Sequence, residues 1–380
     1  MSSEVMQADD YTWLCTGNEV FPAMLAAIEG ARHSVALETY IFKPGRLGER
    51  FREALVRSCQ RGVRVRVLLD GLGSHSLPAA FWAPLQQAGG QVRYFNPLSL
   101  ERLGIRDHCK LLVCDNDVAF VGGFNIAPEY EGDGVTSGWR DVGLCVKGPL
   151  VPQLAASFDE MFGRAEFRHK RFVLLRKSNA RRAIHTASEQ LLLSGPARGG
   201  SPIKAALKGD LAGAGSVQIM VAYFLPSWRL RRQLFRVARA GGRVQLLLAG
   251  KSDVRVSQLA GQSLYGRFLR AGVEIYEYQP QILHAKLLII DDAVYVGSAN
   301  LDHRSLNINY ELMIRFERPA MAREARELFD RALQHSRQVT RETWRSSGSF
   351  WQRLKQHWAY FILARIDSYI ARRQLRALPD

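Results

Sequence analysis

Short apolar runs between turn residues recur along this chain of 380 residues and predict buried β-strands. Residues 111–114 and 287–290 are such runs, and each is followed by a turn rich in Asp and then by a second apolar run, at 118–121 and 294–296. Runs of this length bounded by turn residues are typical of strands that are buried on both faces. Each pair of runs therefore predicts a β-hairpin, and the two hairpins are separated by about the length of a domain.

The pattern upstream of each hairpin is repeated as well. The repeated elements are a strand (35–42 and 217–224), a helix (47–61 and 228–240) and a second strand (63–69 and 244–248). Alternation of strands and helices at this spacing is typical of α/β folds with largely parallel sheets. The fold class predicted is therefore α/β, with two halves related by a pseudo-twofold axis. Each half is expected to be a mixed, mostly parallel sheet flanked by helices, and the two halves are expected to form one unit.

Each predicted hairpin carries His, Lys, Asp and Asn in the same order. The spacing is H-x-K-x4-D in both copies. A pair of small residues follows, and one further residue separates this pair from the Asn. The two sets are His108, Lys110, Asp115 and Asn125, and His284, Lys286, Asp291 and Asn300. Residues i and i+2 of a strand point to one face, so the His and Lys of each copy are expected to share a site. Each Asp lies near the turn, where geometry favours an anchor over a proton-transfer group.

A phosphodiester is the substrate that two His, two Lys and two Asn would suit. One imidazole can attack phosphorus, while the other protonates the leaving oxygen and later deprotonates the incoming hydroxyl. The lysines and amides can hold the phosphoryl oxygens. No metal is required, since a metal site would more naturally use clustered carboxylates or Cys/His ligand spacing. The second copy has Ser298 where the first has Gly123, which suggests that the halves play unequal roles.

These motifs resemble those of the phospholipase D superfamily, whose mark is two such motifs in one chain. Flanking runs such as ETYIF at 38–42 and GSANLD at 297–302 make the sequence most similar to bacterial cardiolipin synthases of the short type without N-terminal membrane helices. The resemblance covers about residues 10–330. It implies transfer of a phosphatidyl group to phosphatidylglycerol through a phosphohistidine, with release of glycerol or another headgroup alcohol. The alternative is a phospholipase D or a phosphodiesterase-type nuclease that uses water as the acceptor.

The resemblance also implies a role for each residue. It makes His108 the nucleophile and His284 the general acid and base. The implied catalytic residues are His108, Lys110, Asp115, His284, Lys286 and Asp291. The implied phosphate-binding residues are Asn125, Asn300 and Ser298. The candidates that would support the histidines are Asp141, Glu311 and Glu38, for which a plain strand-end carboxylate is the alternative. No cofactor and no metal are implied.

Composition adds the class of partner. The net charge of +16 indicates anionic partners, either acidic lipid or nucleic acid. Five cysteines without framework spacing favour a reducing compartment. The polar residues 1–10 do not resemble a signal peptide, and no apolar run reaches the ~18–20 residues that a spanning helix requires.

The C-terminal segment predicts how the protein meets lipid. Apolar residues at helical spacing alternate there with arginines and lysines, a pattern typical of a helix that lies in a membrane interface, although a helix packed on the core is the alternative. The apolar residues are Phe350, Trp351, Leu354, Trp358, Phe361, Ile362, Ile366, Tyr369 and Ile370. We therefore expect a peripheral enzyme on the cytoplasmic face of the bacterial cell membrane, with phosphatidylglycerol as substrate and no nucleic acid as partner.

The predicted division of the chain follows the repeat. Residues 1–170 form the first half with the first motif, and residues 216–340 form the second half with the second motif. Residues 171–215, rich in Arg, Gly and Ser, are interpreted as a basic linker that is either a lid or a plain connection. Residues 341–380 are the basic amphipathic tail.

Overall fold

The computed structural model describes residues 10–97, 105–165, 181–185, 189–196, 200–346 and 349–367. The first half contains seven strands and four helices in the described residues. In chain order they are β1 (Tyr11–Leu14), α1 (Gly17–Gly30), β2 (Ser34–Thr39), α2 (Arg46–Gln60), β3 (Arg64–Asp70), α3 (Ala83–Gln87), β4 (Gln91–Phe95), β5 (Lys110–Cys114), β6 (Val118–Gly122), β7 (Gly143–Lys147) and α4 (Val151–Ala165).

The second half repeats this order and extends it. Its elements are β8 (Arg182–His185), β9 (Glu189–Ser194), α5 (Pro202–Asp210), β10 (Ser216–Val221), α6 (Trp228–Arg239), β11 (Arg243–Ala249), α7 (Arg255–Gln262), α8 (Tyr265–Arg270), β12 (Glu274–Tyr278), β13 (Lys286–Ile290), β14 (Ala293–Gly297), α9 (His303–Asn307), β15 (Glu311–Glu317), α10 (Pro319–Leu333) and β16 (Ser336–Val339). The tail contributes α11 (Arg341–Ser346) and α12 (Phe350–Phe361).

Each half is built on one mixed sheet, with strand orders β1-β7-β6-β5-β2-β3-β4 and β16-β12-β11-β10-β13-β14-β15-β9-β8. The prediction of two α/β halves is confirmed. The expectation that the sheets are mostly parallel is corrected, because only β2-β3-β4 and β10-β11-β12 pair in parallel among the described strands. Those neighbours are joined through helices, which parallel pairing requires, whereas the hairpins and their neighbours pair antiparallel.

Part of the region interpreted as a linker belongs to the second sheet. Strand β9 pairs with β15 along its whole length, and its Leu191 and Leu192 are buried. Helix α5 buries Ile203 and Leu207 against the same half. The linker prediction is corrected at these elements, because the average composition of 171–215 hid a short apolar strand. Residues 171–180, 186–188 and 197–199 of that prediction lie outside the described residues.

The two sheets share one apolar core. Alternate residues of the motif strands, such as Leu111 in β5 and Leu287 in β13, join α4 and α10 in a single buried cluster. The intervening residues, such as Leu112 and Leu288, pack on the opposite faces against the helices of their own half. The motif strands are therefore buried on both faces, and the core fixes the position of the polar residues at their ends.

Backbone hydrogen bonds connect the halves beside each hairpin. The N–H of His108 donates to the carbonyl of Tyr310 at 2.9 Å, and the N–H of His284 donates to the carbonyl of Arg140 at 2.7 Å. The two connections are related by the pseudo-twofold repeat. Each motif histidine is thereby placed next to the segment that carries an acidic residue of the other half.

Candidate active site

The two hairpins bring their histidines and lysines into one site between the halves. Burial lowers the pKa of His108, and Lys286 of the opposite motif lowers it further. Burial likewise lowers the pKa of His284, to which Lys110 contributes. Each motif therefore lies within the electrostatic field of the other, which is what a shared site requires.

Each histidine is paired with a carboxylate from the other half. Nδ1 of His108 lies 3.0 Å from Oε2 of Glu311, and Nδ1 of His284 lies 2.7 Å from Oδ2 of Asp141. Both carboxylates are buried. A neutral imidazole that donates from Nδ1 keeps its lone pair on Nε2, so each ring is left in the tautomer that can attack phosphorus or accept a proton.

Ser298 and Gly123 occupy equivalent positions of the repeat, but they contact these carboxylates differently. The Ser298 hydroxyl donates to Oε2 of Glu311 at 2.5 Å and accepts from the N–H of Leu312 at 3.0 Å. A Cβ at Gly123 would lie 2.2 Å from Oδ1 of Asp141. Ser298 is thus engaged with Glu311, while phosphate binding by its hydroxyl stays a prediction.

His284 is the more enclosed of the two histidines. Its ring contacts Tyr130, Trp139 and Tyr223 at centroid distances of 5.4, 5.6 and 6.3 Å. The Lys286 ammonium lies 2.6 Å from Nδ1. Burial, with Lys286 as the next cause, lowers the pKa of His284 to about 4. When it carries a proton, this imidazole is therefore a stronger acid than an ordinary histidine.

The two motif lysines are buried beside their own histidines. The Lys110 ammonium donates to the carbonyl of His108 at 2.6 Å, and Lys286 donates to the carbonyl of His284. Burial lowers the pKa of both lysines to about 8, and for Lys110 the charge of Lys286 adds to the effect. Both groups still carry a proton at neutral pH, and an anionic phosphoryl group between them would relieve their mutual repulsion.

The two asparagines hold the backbone at the rim of the site. Oδ1 of Asn125 accepts from the N–H of Ile41 at 3.0 Å, and Oδ1 of Asn300 accepts from the N–H of Tyr223 at 3.4 Å. The second hairpin has a two-residue turn where the first has three residues between its strands. The second hairpin is therefore shorter by one residue only in its turn, and Asn300 occupies the place that corresponds to Asn125.

The motif aspartates lie at the far ends of the hairpins. The Asp115 carboxylate accepts from the backbone N–H groups of residues 32, 33 and 34 at 2.7–2.8 Å, and Asp291 accepts from those of residues 215 and 216. Burial alone would raise the pKa of Asp115, but these N–H donors outweigh it and hold the pKa below its ordinary value. Geometry therefore makes both residues anchors for β2 and β10, as their position near the turn indicates, and their place in the catalytic set is corrected.

Glu38 lies behind the first motif rather than against its histidine. Burial, followed by the neighbouring Asp107, raises the pKa of Glu38 well above its ordinary value. Burial raises the pKa of Asp107 to about 7. An oxygen of each carboxyl group lies within 4.8 Å of the other, and two buried carboxylates so close together disfavour carrying two negative charges. Glu38 contacts the site through Asp107, the residue before His108, and not directly.

Aromatic residues complete the site, and the sequence motifs alone did not identify them. The Tyr40 ring lies 4.9 Å from that of His108, and the Tyr130 hydroxyl accepts from the Asn125 amide at 2.8 Å. Tyr130 ends a short 3-10 helix (Pro128–Tyr130) outside the predicted repeat, so no periodic signal marks it. Trp139 is two residues before Asp141 in an extended segment, and that i, i+2 spacing is the signal that could have placed it on the same face.

Comparison with known proteins gives matches over most of the chain. The family model described as "Cardiolipin synthase, PLD-like domain" matches residues 24–164 and 210–333. The chain is 32% identical over 349 residues to cardiolipin synthase 1 of Bacillus cereus, a match that covers 86% of this chain and 67% of that protein. It is 31% identical over 347 residues to the major cardiolipin synthase of Bacillus subtilis, with 90% and 72% covered.

Solved structures of low sequence identity share the fold. The phosphatidylserine synthase of Haemophilus influenzae superposes with a TM-score of 0.75 over 96% of both chains, at 14% identity. The polyphosphate kinase of Porphyromonas gingivalis has a TM-score of 0.60 over 94% of this chain and 53% of that one, also at 14% identity. At such identities the likeness concerns the arrangement of two sheets and their helices.

Proposed function

The chain belongs to the cardiolipin synthase PLD-like domain family, as its motifs indicate, and on that premise we propose that it transfers a phosphatidyl group to phosphatidylglycerol to form cardiolipin. The observation that carries the proposal is the pair of histidines in one site, each held at Nδ1 by a carboxylate of the other half. This arrangement offers one Nε2 as a nucleophile and the other as a proton carrier. The relatives named above are cardiolipin synthases.

The first step forms a phosphohistidine. Nε2 of His108 attacks the phosphorus of one phosphatidylglycerol, and the P–N bond forms as the P–O bond to the headgroup glycerol breaks. His284, protonated at Nε2, passes its proton to the leaving oxygen and so releases glycerol. Lys110 and Lys286 stabilise the phosphoryl oxygens. The bound phosphoryl group in turn offsets the charges of these lysines, which after burial are two causes of the lowered pKa of His284, and so favours the protonated imidazole that this step needs.

The second step transfers the phosphatidyl group. The terminal glycerol hydroxyl of a second phosphatidylglycerol attacks the phosphorus and loses its proton to Nε2 of His284. The P–N bond breaks, cardiolipin leaves, and His108 returns to its neutral state. Water in place of the second lipid would give phosphatidic acid, so exclusion of water by the buried aromatic walls favours transfer over hydrolysis.

The proposed setting is the surface of the bacterial cell membrane, on its cytoplasmic face. No helix within the described residues is long and apolar enough to cross a membrane. The net charge of +16 favours contact with an anionic leaflet. Within the chain, we propose that the second half begins near residue 182, where its first strand in the sheet begins, and that residues 341–380 contact lipid.

Expression in a bacterium that lacks its own cardiolipin synthases tests the proposed function. Lipid extracts should contain cardiolipin when the full chain is expressed, and lack it for His108→Ala and His284→Ala, because nucleophile and proton carrier act as a unit. Phosphatidic acid in place of cardiolipin would assign the hydrolase activity instead. Folded, membrane-bound protein with no change in either lipid would reject the proposal.

A covalent trapping experiment separates the two histidine roles. A phosphatidyl donor with a p-nitrophenol leaving group needs no proton from the enzyme, so His284→Ala should still release p-nitrophenol in one burst. The radiolabelled phosphatidyl group should then remain on the protein after a denaturing quench. His108→Ala should show neither burst nor label. The reverse pattern would exchange the roles of the two histidines.

A further inference from the structure

A second cavity, away from the paired histidines, is bounded by α8, α11 and α12. It has a volume of about 360 Å³. Five arginines line it, namely Arg267, Arg270, Arg341, Arg345 and Arg353. His357 and the indole of Trp344 complete the wall, and the described lining contains neither Asp nor Glu. A concave surface with charges of one sign concentrates counter-ions of the other sign.

The positive charge of this cavity is not neutralised within the described part of the chain. Arginines elsewhere, such as Arg57 with Glu29 and Arg243 with Glu274, are paired with carboxylates. None of the five cavity arginines forms an ion pair with a carboxylate of the described residues; instead, Arg341 donates to the carbonyl of Leu269 at 2.9 Å. We therefore expect the five guanidinium groups around this cavity to bind an external anion with several acceptor oxygens, such as a phosphodiester.

Helix α12, on one side of the cavity, turns its aromatic face away from the protein. Trp351 is 69% exposed, Trp358 59% and Phe361 49%. The residues buried beneath the helix are Gln356, which reaches Gln262 of α7, and Ala359. This is the reverse of a helix that packs on the core, whose apolar side chains face inward. Exposed aromatics beside arginines are typical of a helix at a membrane interface. Residues 368–380 of the predicted tail lie outside the described residues.

Further exposed apolar residues lie near the active site. Strand β10 ends next to Lys286, and the chain passes from Tyr223 at the site to Trp228, which begins α6 and is 62% exposed. The Tyr223 hydroxyl donates to Asp253, and the next residue, Val254, is also exposed. Exposed apolar residues at the start of α6 and just before α7 therefore lie close to Tyr223 of the active site, the first along the chain and the second through the Tyr223–Asp253 hydrogen bond.

We propose that the arginine-lined cavity is a binding site for the anionic headgroup of a bilayer phospholipid, separate from the catalytic site. The arginines bind the headgroup phosphate while the aromatic face of α12 enters the interface. Contact at this site would hold the catalytic rim against the same leaflet. The inference rests on the proposed function only in that the lipid substrate lies in that leaflet; the docking itself requires no turnover.

Flotation of the full chain with vesicles tests the site. Binding should be strong to vesicles containing phosphatidylglycerol and weak to pure phosphatidylcholine. The triple variant Arg267→Gln/Arg345→Gln/Arg353→Gln should weaken binding to anionic vesicles by at least about tenfold, since each basic residue near an anionic leaflet adds roughly a fivefold preference. Its matched control, Arg32→Gln/Arg50→Gln/Arg64→Gln, makes the same charge change on exposed arginines of the first half and should bind as the parent does. Equal binding by both triple variants would overturn the proposal.

Two further measurements separate the headgroup site from its alternatives. Trp351→Ser/Trp358→Ser should weaken binding even at high salt, whereas the arginine variant should differ from the parent less as salt rises. Turnover of a short-chain phosphatidylglycerol dissolved below its micellar concentration should be unchanged in the arginine variant, which shows that it is folded and that its catalytic site is intact. If a single-stranded oligonucleotide displaces the protein from vesicles and its binding is lost in the same variant, the cavity is a nucleic-acid site and the lipid proposal fails.

Discussion

The support of each histidine depends on a single small residue. Ser298 gives Glu311 a hydroxyl donor, whereas Gly123 leaves room for Asp141 by having no side chain. The equivalent positions of the repeat are therefore not interchangeable. His108 has a carboxylate that is itself hydrogen-bonded, and His284 has one that is packed against backbone and is also close to Lys286.

Substitutions at these two positions should affect turnover differently. Ser298→Ala removes one hydrogen bond to a charged group, so kcat should fall by about 10–100-fold with little change in KM. Gly123→Ala forces Asp141 to move, because its Cβ would lie 2.2 Å from Oδ1, and should cost more. Steady-state kinetics on phosphatidylglycerol checks both.

Ser336→Ala is the matched control for the serine change, since the Ser336 hydroxyl donates only to the carbonyl of Ala332 in its own region. It should leave kcat unchanged. If Ser298→Ala behaves like this control, the hydroxyl does not position Glu311, and the asymmetry of the repeat has no role in the reaction.

At the scale of the element, each motif hairpin has different functions at its two ends. The strand start holds His and Lys at the site, and the turn holds an aspartate that accepts backbone N–H groups from the start of the neighbouring strand. Asp115, Asn116 and Asp291 have φ values of 57°, 57° and 48°, a left-handed conformation that Asn and Asp tolerate. The motif aspartate thus suits the turn by its conformation and by its acceptor oxygens.

Asp115→Ala should therefore reduce stability and spare catalysis. The loss of three backbone partners and the strain of Ala at positive φ should lower the free energy of unfolding by about 2 kcal/mol. Asp115→Asn, which keeps an acceptor and tolerates the turn, should lower it less. Urea denaturation and kcat per folded molecule are the measurements.

The neighbouring Asp117→Ala provides the control, because Asp117 is exposed in the same turn. It should change the free energy of unfolding by less than about 0.5 kcal/mol. A large fall in kcat for Asp115→Ala without loss of stability would return Asp115 to the catalytic set.

At the scale of the whole molecule, the site exists only because the halves are packed together. His108 needs Glu311, and His284 needs Asp141, so neither half holds a complete histidine–carboxylate pair among its own described residues. The shared core around Leu111 and Leu287 carries this arrangement. The buried site makes stability depend on pH, because its groups change their protonation when the chain unfolds.

His284 gives the sign of that dependence. Its pKa is lowered to about 4 in the folded chain, so between about pH 6.5 and pH 4 the unfolded chain binds the proton and the folded chain does not. Stability is therefore fully present above about pH 6.5 and is lost as the pH falls through this window. By pH 4 the free energy of unfolding has fallen by roughly 3 kcal/mol through this group.

Urea denaturation at several pH values checks this expectation. His284→Gln should show a shallower loss of stability between pH 6.5 and pH 4 than the parent. His75→Gln, which replaces an exposed histidine, should follow the parent curve. Parallel curves for the parent and His284→Gln would mean that His284 is not held neutral by its burial.

The amino-acid sequence by itself determined the repeat, the hairpins and the residues that face the site. Local periodicity was sufficient here, because strand alternation places His108 with Lys110 and His284 with Lys286 whatever the rest of the chain does. The far-end position of Asp115 also followed from spacing along one strand. The strand β9 was missed since its few apolar residues lie in a segment of polar composition.

Only the tertiary structure decided which groups meet across the halves. Pairing of His108 with Glu311 joins residues 203 positions apart, and no local pattern encodes such a distance. The same holds for the Ser298 hydroxyl, which donates to Glu311, and for Tyr130, which reaches His284 from a short 3-10 helix outside the predicted repeat. The outward aromatic face of α12 was likewise undecided, because an amphipathic pattern fixes which residues share a face but not whether that face meets the core or the solvent.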